Sequence, residues 1–156
     1  MEIKIDNYTL MLSAEALKIL DSYIQRKLND PESGGIILGK ITAEDIQVQR
    51  LSIPTELDKC SRTHFERHRL SAQIVINYEH ANSYGQVTYL GEWHTHPEDH
   101  PTPSGQDMKM IKQQFAQNKI HTEFLLLLIQ GRKSLFSSLI NKEGVIRGNH
   151  YLHKNF

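Results

Sequence analysis

The chain lacks the features of a secreted, membrane-spanning or nucleic-acid-coating protein. It has one cysteine, Cys60, so no internal disulfide can form, and a reducing compartment such as the cytoplasm is expected. No run approaches the roughly 18 apolar residues a membrane span needs. The longest, Phe124 to Ile129, suits a buried strand. The first twenty residues hold no basic stretch followed by an apolar core, so no signal peptide is expected. Neither charge is in excess, since Lys+Arg and Asp+Glu both number 18; a coat for nucleic acid or an anionic membrane leaves a basic excess. No repeat, low-complexity tract or linker divides the 156 residues. That length suits one domain, expected over 1–156, which buries roughly 70% of its unfolded surface.

Proline is also scarce, at five, yet three of the five fall between Pro97 and Pro103. The stretch around them, GEWHTHPEDHPTPSGQD (91–107), also holds three histidines. The flanking pattern places it. Residues 2–12 alternate in part and read as an edge strand or extended arm. Ser13 is a plausible N-cap for a helix carrying Leu17, Leu20, Ile24 and Leu28 and stopping near Asn29, because Pro31 disfavours helix before it. Gly34–Lys40 is a glycine-bounded buried strand with Asp45–Ser52 as its hairpin partner. Residues 52–69 lack periodicity and read as a long loop or flap whose cations Lys59, Arg62 and Arg67 are solvated or grip a substrate tail. Leu70–Ser83 is expected to be a helix with Ile74, Val75 and Tyr78 on one side. Gln86–Thr95 reads as a strand and Ser104–Asn118 as a helix burying Met108, Ile111 and Phe115. Three strands close the chain, at 123–130, 134–141 and 145–152, around turns at Gly131–Lys133 and Lys142–Gly144.

His94 and His96 sit two apart at the end of a strand. Side chains at i and i+2 share a face, about 6.5–7 Å apart along it, and two imidazoles at that spacing can converge on one ion with Zn–N bonds of about 2.0–2.1 Å. Pro97 ends the strand, the proline loop turns the chain, and Asp107 in the first turn of the next helix can swing back. Two histidines and one carboxylate leave a fourth position for water, as catalytic zinc requires. A plainer reading also stands: Ser104-Gly-Gln-Asp107 fits a capping box, which needs no metal.

The conjunction His94-Thr-His96, seven residues opening with Pro97, then Ser104-x-x-Asp107 resembles the JAMM motif of the MPN (JAB) metalloprotease family. That motif adds a glutamate upstream, before a glycine-containing apolar strand. Glu32 in PESGGIILG occupies that place; alone it would read as a solvated turn carboxylate. The resemblance implies an α/β (α+β) fold, cytidine-deaminase-like, with a mixed central sheet flanked by helices. It implies a zinc-dependent peptidase or isopeptidase with one Zn2+ on His94, His96 and Asp107. Glu32 would be the proton carrier and Ser104 the donor to the oxyanion.

The bare core resembles the bacterial stand-alone (Prok-JAB) members, some encoded in cyclic-nucleotide (CBASS) antiphage operons. The implied substrate is then a protein with a flexible C-terminal tail, a ubiquitin-like protein or a conjugated nucleotidyltransferase. The alternatives are trimming of a sulfur-carrier tail and a non-catalytic MPN scaffold; nucleic-acid and membrane partners are not expected. Among neighbours, the family spacing skips His100. Glu92 is a candidate partner fixing a histidine tautomer. Trp93 reads as core and Cys60 as small and partly buried. Gly34 and Gly35 permit a turn or leave room for substrate backbone.

Overall fold

The structure, a computed structural model, describes residues 1–153; the single domain expected over 1–156 extends past them. Residues 2–12 fold as two strands, β1 (Glu2–Ile5) and β2 (Tyr8–Leu12), in place of one arm. The parity of the apolar positions breaks between Ile5 and Tyr8, which is the mark of a tight turn. Asp6 supplies it at φ 54°, a conformation aspartate tolerates. Helix α1 (Ala14–Ser22) is capped by Ser13 as expected but stops seven residues before Asn29. Leu28, counted toward its apolar face, is 73% exposed, so nothing rewards further turns. The strands β3 (Gly34–Thr42) and β4 (Asp45–Leu51) form the expected hairpin.

The long loop is itself structured: β5 (Lys59–Ser61) and β6 (His64–Glu66) make a small separate hairpin, a flap. Cys60 on it is exposed, against expectation, because no further layer covers a two-stranded ribbon. Helix α2 (Arg69–Asn82) packs through Ala72, Val75 and Ile76, leaving Ile74 and Tyr78 68% and 63% exposed. The apolar residues of this helix outnumber its packed face, so its pattern misassigned the buried side. The remaining elements lie close to their expected bounds: β7 (Thr88–Thr95), α3 (Gly105–Gln117), β8 (Phe124–Gln130), β9 (Ser134–Asn141) and β10 (Ile146–His153).

The main strands form one mixed sheet in the order β1-β2-β4-β3-β7-β8-β9-β10, parallel at β2–β4 and β7–β8. Its two faces are read off the alternation of β8. Leu126 and Leu128 pack with Ala16 and Leu20 of α1 on one side. Leu125, Leu127 and Ile129 pack with Ile111 of α3 on the other, and Ile36 and Leu38 meet α2 there. The expected arrangement, a mixed central sheet flanked by helices, is therefore what the chain adopts.

One irregularity decides what β7 presents. Opposite β3, Tyr89 pairs with Leu38 and Gly91 with Ile37, so Leu90 is an extra residue, a β-bulge. The bulge puts Tyr89 on the same face as Glu92 and His94, and puts Leu90 with Trp93 in the core below α1. Gly91 makes this possible: a Cβ there would lie 1.9 Å from the backbone oxygen of Leu126. Gly91→Ala is accordingly expected to destabilise the fold by about 3 kcal/mol, the upper end for overpacking, since backbone has to give way. Urea unfolding of the metal-free protein measures this, and an unchanged midpoint would mean that β7 and β8 separate freely.

Candidate metal centre

The sheet delivers two imidazoles and a helix start delivers a carboxylate. His94 on β7 and His96 just past its end face the α3 side of the sheet, 4% and 5% exposed, with their Nε2 atoms 3.1 Å apart. Asp107 turns Oδ1 to His94 Nε2 and Oδ2 to His96 Nε2, each at 3.1 Å. The capping box is present as well, and it is what aims the carboxylate. Ser104 Oγ accepts the Asp107 N–H at 3.1 Å, while Asp107 Oδ2 accepts the Ser104 N–H at 2.7 Å. The two readings of Ser-x-x-Asp thus describe one object, because the cap holds the same oxygen that faces His96.

This donor set fits a cation. Ligand atoms of His94, His96 and Asp107 lie within 4.8 Å of one another. Both imidazoles turn Nε2 toward the point that the two Asp107 oxygens face, so two nitrogen donors and a carboxylate converge on it. Spacings near 3.1 Å also suit neighbouring corners of a tetrahedron with bonds of about 2.0–2.1 Å. Electrostatics points the same way. Burial works to raise the Asp107 pKa, but hydrogen bonds from both imidazoles hold its carboxyl well below the usual carboxylate range. Burial opposes a charge on His96, and the Asp107 carboxylate outweighs it and raises the His96 pKa.

Glu32 lies beside this group, 6% exposed, with Oε1 4.0 Å from His96 Nε2. Burial pushes its pKa up to about 7, only partly offset by His96. It is a buried carboxylate and not a solvated turn residue. Its backbone is pinned from two sides. The Glu32 N–H donates to Ser61 O of the flap, and Ser33 and Thr95 pair in both directions. Thr95, the residue between the two histidines, points to the opposite face. Its Oγ1 accepts the Ser33 N–H and donates to Gln25, whose amide also bonds Asp30 O and Arg62 O. Nothing in the sequence marks this network, since Gln25 falls inside the expected helix.

Gly34 lies opposite His94 in the β3–β7 register, and a Cβ on it would come 2.6 Å from Phe65 of the flap and 2.6 Å from Trp93 O. Here the glycine lets the flap sit down on β3, the role neither sequence reading assigned it. Trp93 is core as expected and donates Nε1–H to Ser52 O. Glu92 shares the face of the histidines but fixes neither. Its carboxylate takes Arg67 Nε at 2.9 and 3.0 Å and the Tyr89 hydroxyl at 2.7 Å, while Arg67 Nη2 also reaches Gln114. Arg67 is thus a clamp joining flap, β7 and α3, whereas Lys59 and Arg62 are exposed. His100 bonds Ser134 Oγ and stacks edge-on against His153, tying the proline loop to the β8–β9 turn and away from the centre. Among the described residues no helix is long and apolar enough to cross a membrane.

Two buried histidines and a carboxylate converge beside a second acid where the central strand β7 ends, a donor set that suits a hydrolase working through a metal ion. The family described as prokaryotic homologs of the JAB domain matches residues 21–139, and the chain belongs to that family. It is 36% identical over 131 residues to a protein of Escherichia coli (strain TW11681) named CD-NTase/cGAS isopeptidase, covering 84% of this chain and 81% of that one. A protein of the same name from Pseudomonas aeruginosa (strain BWHPSA011 / Pa011) is 32% identical over 140 residues, 89% and 88% of the two chains. The solution structure of a Desulfitobacterium hafniense protein shares the fold, with a TM-score of 0.62 at 22% identity over 88% of each chain.

Proposed function

We propose that this chain is a cytoplasmic, zinc-dependent isopeptidase that frees a CD-NTase-type nucleotidyltransferase from the lysine to which its C-terminus is joined, as part of antiphage (CBASS) signalling. The observation that carries this reading is the meeting of His94, His96 and Asp107 at 3.1 Å with Glu32 at 4.0 Å from His96. The names of the relatives supply the substrate class.

His94, His96 and Asp107 would hold the ion. Bound there, zinc supplies Lewis acidity: it lowers the pKa of water toward about 7 and polarises a carbonyl oxygen. Glu32 Oε1 takes one proton from the attacking water. The hydroxide oxygen adds to the scissile carbonyl carbon, and the negative charge collects on the carbonyl oxygen. Ser104 donates its O–H to that oxygen; capping uses only a lone pair of its Oγ, so the hydrogen is free for this. The C–N bond then breaks, and Glu32 passes its proton to the leaving lysine amine.

The test joins metal content to cleavage. Purified protein is expected to carry about one zinc per chain and to split a lysine-linked CD-NTase conjugate into its two proteins. A chain that refuses zinc, or a loaded one that leaves the conjugate whole, overturns the reading.

A further inference from the structure

A cleft of ≈530 Å³ opens from the metal centre and runs between α2 and α3 over β7. Its floor from Thr88 to His94 is about 17–20 Å long at about 3.3 Å per residue, the reach of five or six residues of extended chain. Side-chain amides recur along the walls, Gln73 and Asn77 from α2 and Gln106, Gln113, Gln114 and Gln117 from α3, beside Ile76, His80 and Met110. Each set follows the i, i+3, i+4, i+7 spacing of a single helix face. Gln114 is committed to Arg67 and Asn118, and Gln73 to Asn77. The side-chain amides of Gln106, Gln113 and Gln117 bond no other group among the described residues. Amides offer donors and acceptors together, which is what alternating N–H and C=O groups of an extended backbone require, whatever its side chains.

The charge of the cleft is divided. Inside, Glu92 is neutralised by Arg67, and Glu32 and Asp107 belong to the metal end. Glu66 lies on the flap, 3.7 Å from His64. Toward solvent, Arg69, Lys109 and Lys119 are exposed and make no ion pair among the described residues. Single-stranded nucleic acid asks for cations along its whole track and open aromatic platforms. Here the cations stand at the rim, and Trp93 is buried in the floor.

We propose that this cleft seats the extended C-terminal tail of the substrate and that Arg69, Lys109 and Lys119 select tails bearing acidic side chains before the scissile bond. The inference deepens the isopeptidase reading and rests on it for the bond that is cut, though not for binding. The probes are fluorescein-labelled Gly/Ser decapeptide tails containing three Glu, three Lys or three Ser, each also joined to a lysine amine for cleavage. Binding is read by anisotropy on zinc-loaded Glu32→Gln protein, and cleavage separately on the wild type.

The Glu tail is expected to bind about tenfold more tightly than the Lys tail at low salt, the sum of three surface pairs. The gap should close near 1 M salt. Combining Arg69→Glu, Lys109→Glu and Lys119→Glu should reverse the order at an unchanged melting temperature. Lys119→Glu alone should narrow it, which covers the case of a triple variant that folds poorly. Equal binding of Glu and Lys tails overturns the proposal, as does displacement of the Glu tail by oligo-dT at matching concentration, which would assign the rim to phosphates. Acidic preference with no cleavage of any tail sinks the isopeptidase reading and leaves the cleft assignment standing. Cleavage of all tails at equal KM does the reverse.

Discussion

His94→Ala is expected to remove bound zinc and cleavage together while leaving the fold in place. Three contacts define the centre, and this substitution deletes one corner of it, the Nε2 that faces both His96 and Asp107. Loss of an outer partner of a metal ligand costs about 10–100-fold in affinity, and loss of the ligand itself should exceed that. His94 is the cleanest of the three to change. Asp107→Ala would also delete the acceptor of the Ser104 N–H, so α3 would lose its capping box and about 1 kcal/mol with it. His96 faces Glu32 from Nε2 at 4.0 Å and Glu98 from Nδ1 at 3.8 Å, so its loss would disturb two carboxylates as well. Metal analysis of the dialysed variant, beside its thermal melt, checks the prediction. A His94→Ala protein that keeps one zinc per chain would mean the ion binds elsewhere.

The candidate metal group is legible because it is local. His94, His96, Ser104 and Asp107 fall within one strand, one loop and one helix turn, and strand alternation plus a capping box fix their directions without knowledge of the rest of the fold. Glu32 was reachable only through family resemblance; nothing in PESGG says that its carboxylate is buried, since the burial comes from strands and a flap distant in sequence. The Arg67–Glu92 clamp is the opposite case. Both residues stand out in the sequence, but a sequence does not show which charge meets which, so Arg67 reads only as one of three cations that are solvated or grip a substrate tail. The bulge at Leu90 hid Tyr89 in the same way, because regular alternation puts Tyr89 and Glu92 on opposite faces. Helix α2 failed for a third reason: it carries more apolar residues than it buries, so periodicity alone could not choose its packed face.

Glu32→Gln separates the chemistry from the metal. The amide keeps the shape of the side chain and removes only its capacity to take a proton, so zinc content should stay at the wild-type level while cleavage falls about 10²–10⁴-fold. Wild-type activity should rise with pH as Glu32 ionises. In the metal-free chain that occurs near a pKa of about 7, raised by burial from 4.5. A bound cation favours the ionised form, so the acid limb of kcat/KM belongs between those two values, and it should vanish from the residual activity of the variant.

The same residue has a stability signature with a definite sign. Its folded pKa lies above its unfolded one. The contribution of Glu32 to the stability of the metal-free protein is therefore full below about pH 4.5, is lost as pH rises to about 7, and is level beyond. Glutamine has no charge to bury, so metal-free Glu32→Gln should match the wild type in acid and melt higher than it above pH 7. Calorimetry across that range, paired with the activity profile, tests both consequences of one buried carboxylate. A variant that cleaves normally removes Glu32 from the chemistry, and one that is no more stable at pH 8 shows that the site is wetter than its burial implies.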